Sequence, residues 1–336
     1  MTNQTSIDKL RRVSSAYQET CVLAAAGELD LFTAILQNGS PLTAERLAAF
    51  CGVDCRALTV LLDALAAAGY LVKNNGSYAV AGEYVELLDS RSPSTYVPMI
   101  RHLANVQRAW TQLARTVKTG TRTDTPPSIL GADEDNVSFI WAMNSVAGTL
   151  VEPTIESLRN ANLLTFKNFI DIGGASGTYT QAFLRALPES RAAIFDLPVG
   201  IAAARKRFIG SEFEQRVTLI EGDIFNNDFP TGFDFAWISA IIHQFDRAES
   251  CALYRKTWDS LKSGGVVAVR DFVMSSDRTS PRDGALFGIN MLVETPHGMV
   301  YTFDEIKSDL ESVGFENVKL AVPLDTMSAV VTATKK

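Results

Sequence analysis

The stretch that decides the fold is NFIDIGGASGTYTQAFLRALP, Asn168 to Pro188. An apolar run ends in an acid, Asp171, passes into a glycine-rich turn and opens a helix. Glycines let a backbone turn tightly and approach a ligand closely, and the helix N-terminus adds the positive end of a dipole. A dinucleotide fold wants G-x-G-x-x-G. From Gly173 the chain reads G-G-A-S-G-T, with Ala175 and Thr178 where the second and third glycines belong, so that fingerprint fails. The frame D-x-G-x-x-x-G, formed by Asp171, Gly173 and Gly177, suits a methyl-donor nucleoside better. Such a ligand has no pyrophosphate to cradle, and its cationic sulfonium and amine are compatible with a nearby carboxylate.

Beyond this turn, short apolar runs (AAIFDL, VTLIEG, FDFAWIS, VVAVRDFVM) alternate with helix-like stretches. That alternation predicts an α/β, doubly wound, Rossmann-like parallel sheet covered on both faces. Asp196 ends the second strand, 25 residues after Asp171, where a carboxylate accepts both ribose hydroxyls. Asp223 follows the third strand, where it and its neighbours, Ile224 first, hold the adenine edge and face. A single Asp at a strand end is more often a cap or turn residue. Three in register after successive strands, behind a glycine turn, point to a nucleoside site.

Before this domain the pattern is helical. Apolar residues recur at helical spacing around Leu23, Leu29, Leu31, Phe32 and Ile35. In PLTAERLAAFCGVDCRALTVLLDALAAAGYLV, Thr43 reads as an N-cap, Gly52 as a turn and Gly69 as a helix stop. Lys73 to Gly76 is a turn and Ser77 to Val80 a return strand, which together predict a winged-helix arrangement. Between Pro41 and Ser92 there are four basic and six acidic residues, and the would-be recognition helix, Arg56 to Ala68, is mostly apolar. Such a helix is built to be covered by protein, so a homodimer is expected and nucleic acid is not. The middle segment is mostly helical, with a Thr-, Pro- and Gly-rich break from Thr119 to Asp135 long enough for a lid. The boundaries expected are 1–95 for a dimerisation domain, 96–165 for a helical linker lining a substrate pocket and 166–336 for the catalytic domain.

Composition sets the remaining bounds. The 336 residues carry a net charge of −7, with 46% hydrophobic and 21% charged side chains, an ordinary globular mix. Arg205-Lys206-Arg207 forms the one run of three consecutive basic residues and reads as a solvated helix face. Four cysteines make no disulfide framework, and three histidines make a metal site improbable, so no metal is expected. No targeting or membrane-spanning pattern is visible, and a cytoplasmic protein is expected.

The chain resembles the S-adenosylmethionine-dependent small-molecule O-methyltransferases of the plant caffeate and bacterial polyketide-tailoring type. The matching residues are DIGGASG, FDLP, EGDIF, SAIIHQFD, LKSGGVVAVRDFVM and YTFDEIKSDLESVGF, in that order. The resemblance implies an N-terminal winged-helix dimerisation domain ahead of a class I methyltransferase sheet, with S-adenosylmethionine as cofactor. It implies that His243 is the general base and that Asp271 orients it. A bland alternative for His243 is a buried histidine satisfied by backbone. The expected placement of strands four and five side by side favours the catalytic reading independently.

This sequence departs from the plant pattern at several positions. Gln244-Phe245 follows the histidine where plant members carry Asp-Trp. A cofactor-contacting lysine is replaced by Ser239, the common Glu after strand five by Asp271, and a second supporting acid by Val300. Asn290, Phe139 and Met143 align with residues lining the substrate pocket. The expected reaction is methyl transfer to a hydroxyl of an aromatic or polyketide-like small molecule. The alternatives are a C- or N-acceptor, or a regulator that senses the nucleoside.

Overall fold

The computed structural model describes residues 3–336, with side chains described for all of these except residues 3 and 144–147. The chain divides into two compact units, residues 1–111 with 124–145, and residues 112–123 with 146–336.

The first unit is mainly helical, and its local chemistry follows the sequence closely. Thr43 accepts the Arg46 amide and Asp54 the Ala57 amide, so each caps the helix it precedes, Ala44–Cys51 and Cys55–Ala67. Gly52 closes the first of these helices with a φ of 68°. Leu58, Leu62 and Leu65 recur at helical spacing and are all but fully buried, whereas Val60 stays 63% exposed. Strands Leu71–Asn74 and Ser77–Val80 pair antiparallel around a turn at Asn75 and Gly76, both with positive φ. The short strand Leu42–Thr43 adds to Ser77–Val80 and completes a three-stranded sheet.

The second unit holds a seven-stranded sheet. Its strands are β1 (Asn168–Ile172), β2 (Arg191–Asp196), β3 (Val217–Glu221), β4 (Phe233–Ser239), β5 (Leu261–Asp271), β6 (Phe315–Val322) and β7 (Ala329–Lys335). Their order is β6-β7-β5-β4-β1-β2-β3, with β7 antiparallel to both its neighbours. The pairs β1–β2, β2–β3, β1–β4 and β4–β5 are parallel. The chain runs outward from β1 to β3 and then crosses back to β4, which leaves a crevice at the C-terminal ends of β1 and β4.

Helices α1 (Thr178–Ala186), α2 (Pro198–Phe208), α3 (Arg247–Ser260), α4 (Arg282–Glu294) and α5 (Phe303–Ser312) belong to the same unit. Both faces of the sheet are covered. Phe169, Tyr179, Phe183, Phe235 and Trp237 pack on one side; Ile170, Ile172, Ile238, Tyr254 and Leu310 pack on the other. Burial on both faces is why these strands read as continuous apolar runs. Two capping boxes, Asp246 with Glu249 and Thr302 with Glu305, set where α3 and α5 begin.

Candidate active site

Asp171 is 2% exposed at the end of β1, and its Oδ2 accepts the Thr180 hydroxyl at 2.5 Å. Burial pushes its carboxyl up to about 7; the Thr180 bond opposes this and the Asp196 charge adds to it. The Gly173 amide bonds the Phe195 carbonyl at 2.8 Å, so the chain leaves β1 toward the end of β2. Gly173 has φ 70°, and a Cβ there would stand 2.5 Å from Ile241. Ala175 also has positive φ, and its amide donates to Asp196 Oδ2 at 2.7 Å. Asp196 Oδ1 accepts the Leu197 amide at 2.7 Å. Both Asp196 oxygens therefore engage backbone, and burial raises this carboxyl too.

The turn is held from α2. Arg207 donates to the Ser176 carbonyl at 2.7 Å and to the hydroxyls of Ser176 and Thr178 at 3.2 and 3.1 Å. This corrects the reading of Arg205-Lys206-Arg207 as a solvated face: Arg207 is half-buried, while Arg205 and Lys206 are exposed. Arg207 follows the buried Ala204 by three positions and precedes the buried Phe208, which is the signal that was there to find.

After β3, Asp223 forms a turn of its own, with Oδ1 accepting the amides of Phe225 and Asn226 at 2.8 and 3.0 Å. Lys256 of α3 reaches under this loop. Its Nζ donates to the carbonyls of Ile224, Phe225 and Asn227 at 2.9, 2.7 and 3.0 Å. Ile224 is half-buried against the core. Nothing in the local sequence marks Lys256, because its partners lie about thirty residues away.

The other half of the crevice comes from β4 and β5, where Ser239 pairs in register with Arg270. His243 lies in the short turn Ile242–Gln244 after β4 and is 7% exposed. Its Nδ1 stands 2.8 and 3.0 Å from the two carboxyl oxygens of Asp271, the last residue of β5. The ring meets Phe287 of α4 edge-on at 4.8 Å. Asn290 lies three residues farther along α4, on the same helix face as Phe287, and is half-buried. Val300 is buried, and its carbonyl accepts from Arg278.

Phe139 and Met143 lie in the first unit, 48% and 38% exposed, with Phe139 edge-on to His102. Burial lowers the His102 pKa. Among the described residues, no group of three or more His, Cys, Asp or Glu is placed to hold a metal ion. Among them also, no helix is long and apolar enough to cross a membrane.

A family model for the O-methyltransferase domain matches residues 128–316, more than half of the chain, and one for the O-methyltransferase dimerisation domain matches residues 12–85. The chain belongs to the S-adenosylmethionine-dependent O-methyltransferase family. The methyltransferase is 29% identical over 315 residues to the tetracenomycin polyketide synthesis 8-O-methyl transferase TcmO of Streptomyces glaucescens, covering 92% of this chain and 91% of that one. It is 28% identical over 324 residues to the 3-hydroxy-5-methyl-1-naphthoate 3-O-methyltransferase of Streptomyces sahachiroi, covering 92% and 90%. The solved structure of PigF with SAH shares the fold of this methyltransferase, with a TM-score of 0.84 at 22% identity over all of both chains.

Proposed function

We propose that this methyltransferase acts as a homodimer on a hydroxyl of an aromatic or polyketide-like small molecule, with His243 as general base and Asp271 holding it. The observation that carries the reading is the bond between His243 Nδ1 and Asp271, at the sheet edge where the glycine turn ends β1. The acceptors printed in the names of TcmO and the naphthoate methyltransferase support the choice of acceptor class.

The residues present fit S-adenosylmethionine. Three acids, Asp171, Asp196 and Asp223, stand at or just after the ends of three adjacent strands, β1 to β3, and suit its amine, ribose and adenine. The buried Arg270 guanidinium, on β5 next to Ser239 of β4, keeps an Nε with no partner, which suits an anionic group. When bound, S-adenosylmethionine supplies a methyl group already activated on a sulfonium.

The chain therefore has to align an acceptor oxygen and manage one proton. With Nδ1 donating to Asp271, His243 keeps Nε2 unprotonated and ready to accept that proton. A phenol is a weaker acid than an imidazolium, so complete transfer to the ring beforehand would be uphill. Transfer that accompanies attack avoids most of that cost. Asp271 stabilises the imidazolium as it forms, and Phe287 closes one side of the ring to water. Asn290, on the same face of α4, supplies a polar contact for the acceptor.

Calorimetric titration with S-adenosylhomocysteine tests the donor site. The expected result is micromolar binding by the wild type that is lost in Asp196→Ala. Labelled methyl from the donor should then appear on the oxygen of a phenol within a panel of acceptors. Folded wild type that binds no S-adenosylhomocysteine would overturn the reading.

A further inference from the structure

Arg270 is a charged residue inside the second unit with no charged partner. It is 3% exposed, in a strand that is otherwise apolar along Val266 to Val269. Its Nη1 donates to Ser239 Oγ at 2.8 Å, and its guanidinium lies 5.0 Å from the centre of the Tyr179 ring. Its Nε is buried without a partner, and so is the hydroxyl of Tyr179. Among the described residues it forms no ion pair. Asp271, next in the chain, points to the opposite sheet face, toward His243. Asp171 shares the Arg270 face but bonds Thr180 instead.

Leaving a guanidinium in this condition is costly, because burial disfavours the charge and a single hydroxyl bond and a ring contact offset only part of it. Burial does lower its pKa, with Tyr179 and Asp271 opposing. The groups gathered here share one property. Arg270 Nε, the Tyr179 hydroxyl, and the Ser239 hydroxyl once it has accepted from Arg270 all have a proton to give, and no oxygen anion stands among them. A carboxylate is the complement, since its two oxygens take several such donors at once.

Position narrows the source. Ser239 is half-buried at the C-terminal end of β4, so the cluster opens toward the crevice. Tyr179 is the second residue of α1, the helix opened by the glycine turn. The anion therefore lies beside the turn, on the sheet face that carries Asp171, and not on the His243 face. We infer that Arg270, with Ser239 and Tyr179, binds the α-carboxylate of the methyl donor and so selects an amino-acid-bearing nucleoside. The inference rests on the methyl-donor reading above and extends it to the recognition of the methionine end.

The test compares two ligands that share nucleoside, thioether and amine: S-adenosylhomocysteine and its decarboxylated analogue, S-adenosyl-3-thiopropylamine. Calorimetry on the wild type should show the carboxylate-bearing ligand preferred by about tenfold or more. Arg270→Met should abolish that preference while binding the analogue as the wild type does, and Arg270→Lys should restore part of it. A purely structural role would instead lower the Tm of the free protein and weaken both ligands alike. Removing an unpaired buried charge should leave the Tm of Arg270→Met undiminished.

Equal affinity of the wild type for both ligands overturns the inference whether or not any variant folds. A preference retained in Arg270→Met overturns it as well. Wild type that binds neither ligand overturns the donor reading and this inference with it, whereas binding without preference overturns this inference alone.

Discussion

Gly177 and Phe208 meet where α1 begins against α2: a Cβ on Gly177 would stand 2.5 Å from the Phe208 ring and 2.7 Å from Ile194. Gly177 also has φ 75°. The last glycine of the turn is thus required by the packing of the protein against itself. Gly177→Ala combines a left-handed backbone penalty of about 1–2 kcal/mol with overpacking of about 1–3 kcal/mol. We expect a loss of about 2–4 kcal/mol in urea unfolding, partly recovered by adding Phe208→Leu, because the two sites are in contact. A change below about 0.5 kcal/mol would show that the contact yields freely.

Lys256 ties down the loop that carries Asp223 and Ile224 through three backbone carbonyls. Hydrogen bonds from a charged donor are worth about 1.5–3 kcal/mol each when lost. Lys256→Met should therefore raise the Kd for S-adenosylhomocysteine about tenfold, while kcat at saturating donor stays near the wild-type value. A Kd within about twofold of wild type would mean that Phe225 against Phe245 and the Asp223 turn hold the loop unaided.

The sheet was legible because both of its faces are covered. FIDI, AAIFD and FAWIS are apolar without alternation, and each lies in a strand between two packed layers. The cap at Thr43, the turn at Gly52 and the turn at Asn75-Gly76 were legible because their chemistry is local. Arg207, Lys256 and Arg270 were not, because each acts on residues about thirty positions away and only folding brings them together. Two of them left a trace: Arg270 as one cation inside the apolar strand VVAVRD, and Arg207 by its spacing from the buried Ala204 and Phe208. The pairing of His243 with Asp271 came from the resemblance together with the expected neighbourhood of two strands, and the register of β4 with β5 brings the two residues together.

Asp171 makes stability depend on pH in an unusual direction. Its carboxyl is raised from 3.8 to about 7 in the fold, so between these values the native state holds a proton that the unfolded state has lost. Stability attributable to this group is then full below about pH 4, falls as pH rises toward 7, and levels above. The span corresponds to about 4 kcal/mol. Asp171→Asn keeps an oxygen for the Thr180 hydroxyl and removes the titration. Urea unfolding at pH 5 and pH 8 should show the wild type losing more stability than the variant over that interval. Parallel losses in both proteins would place the titration elsewhere.

Asp271→Asn isolates the role of the carboxyl from that of its bulk. Asp271 is 1% exposed and its Oδ1 also accepts the Phe272 amide at 2.9 Å, so an amide of the same shape keeps the strand end in place. The amide nitrogen, however, donates toward Nδ1 and favours the tautomer with its proton on Nε2, which cannot accept a proton from the acceptor hydroxyl. With the base disabled, kcat should fall by about 10²–10⁴ while the Kd for S-adenosylhomocysteine stays unchanged. The loss should shrink for phenols whose pKa lies below the assay pH, because those arrive already ionised and need no base. A loss of the same size for acidic and ordinary phenols would show that Asp271 acts by shaping the pocket and not through the proton on His243.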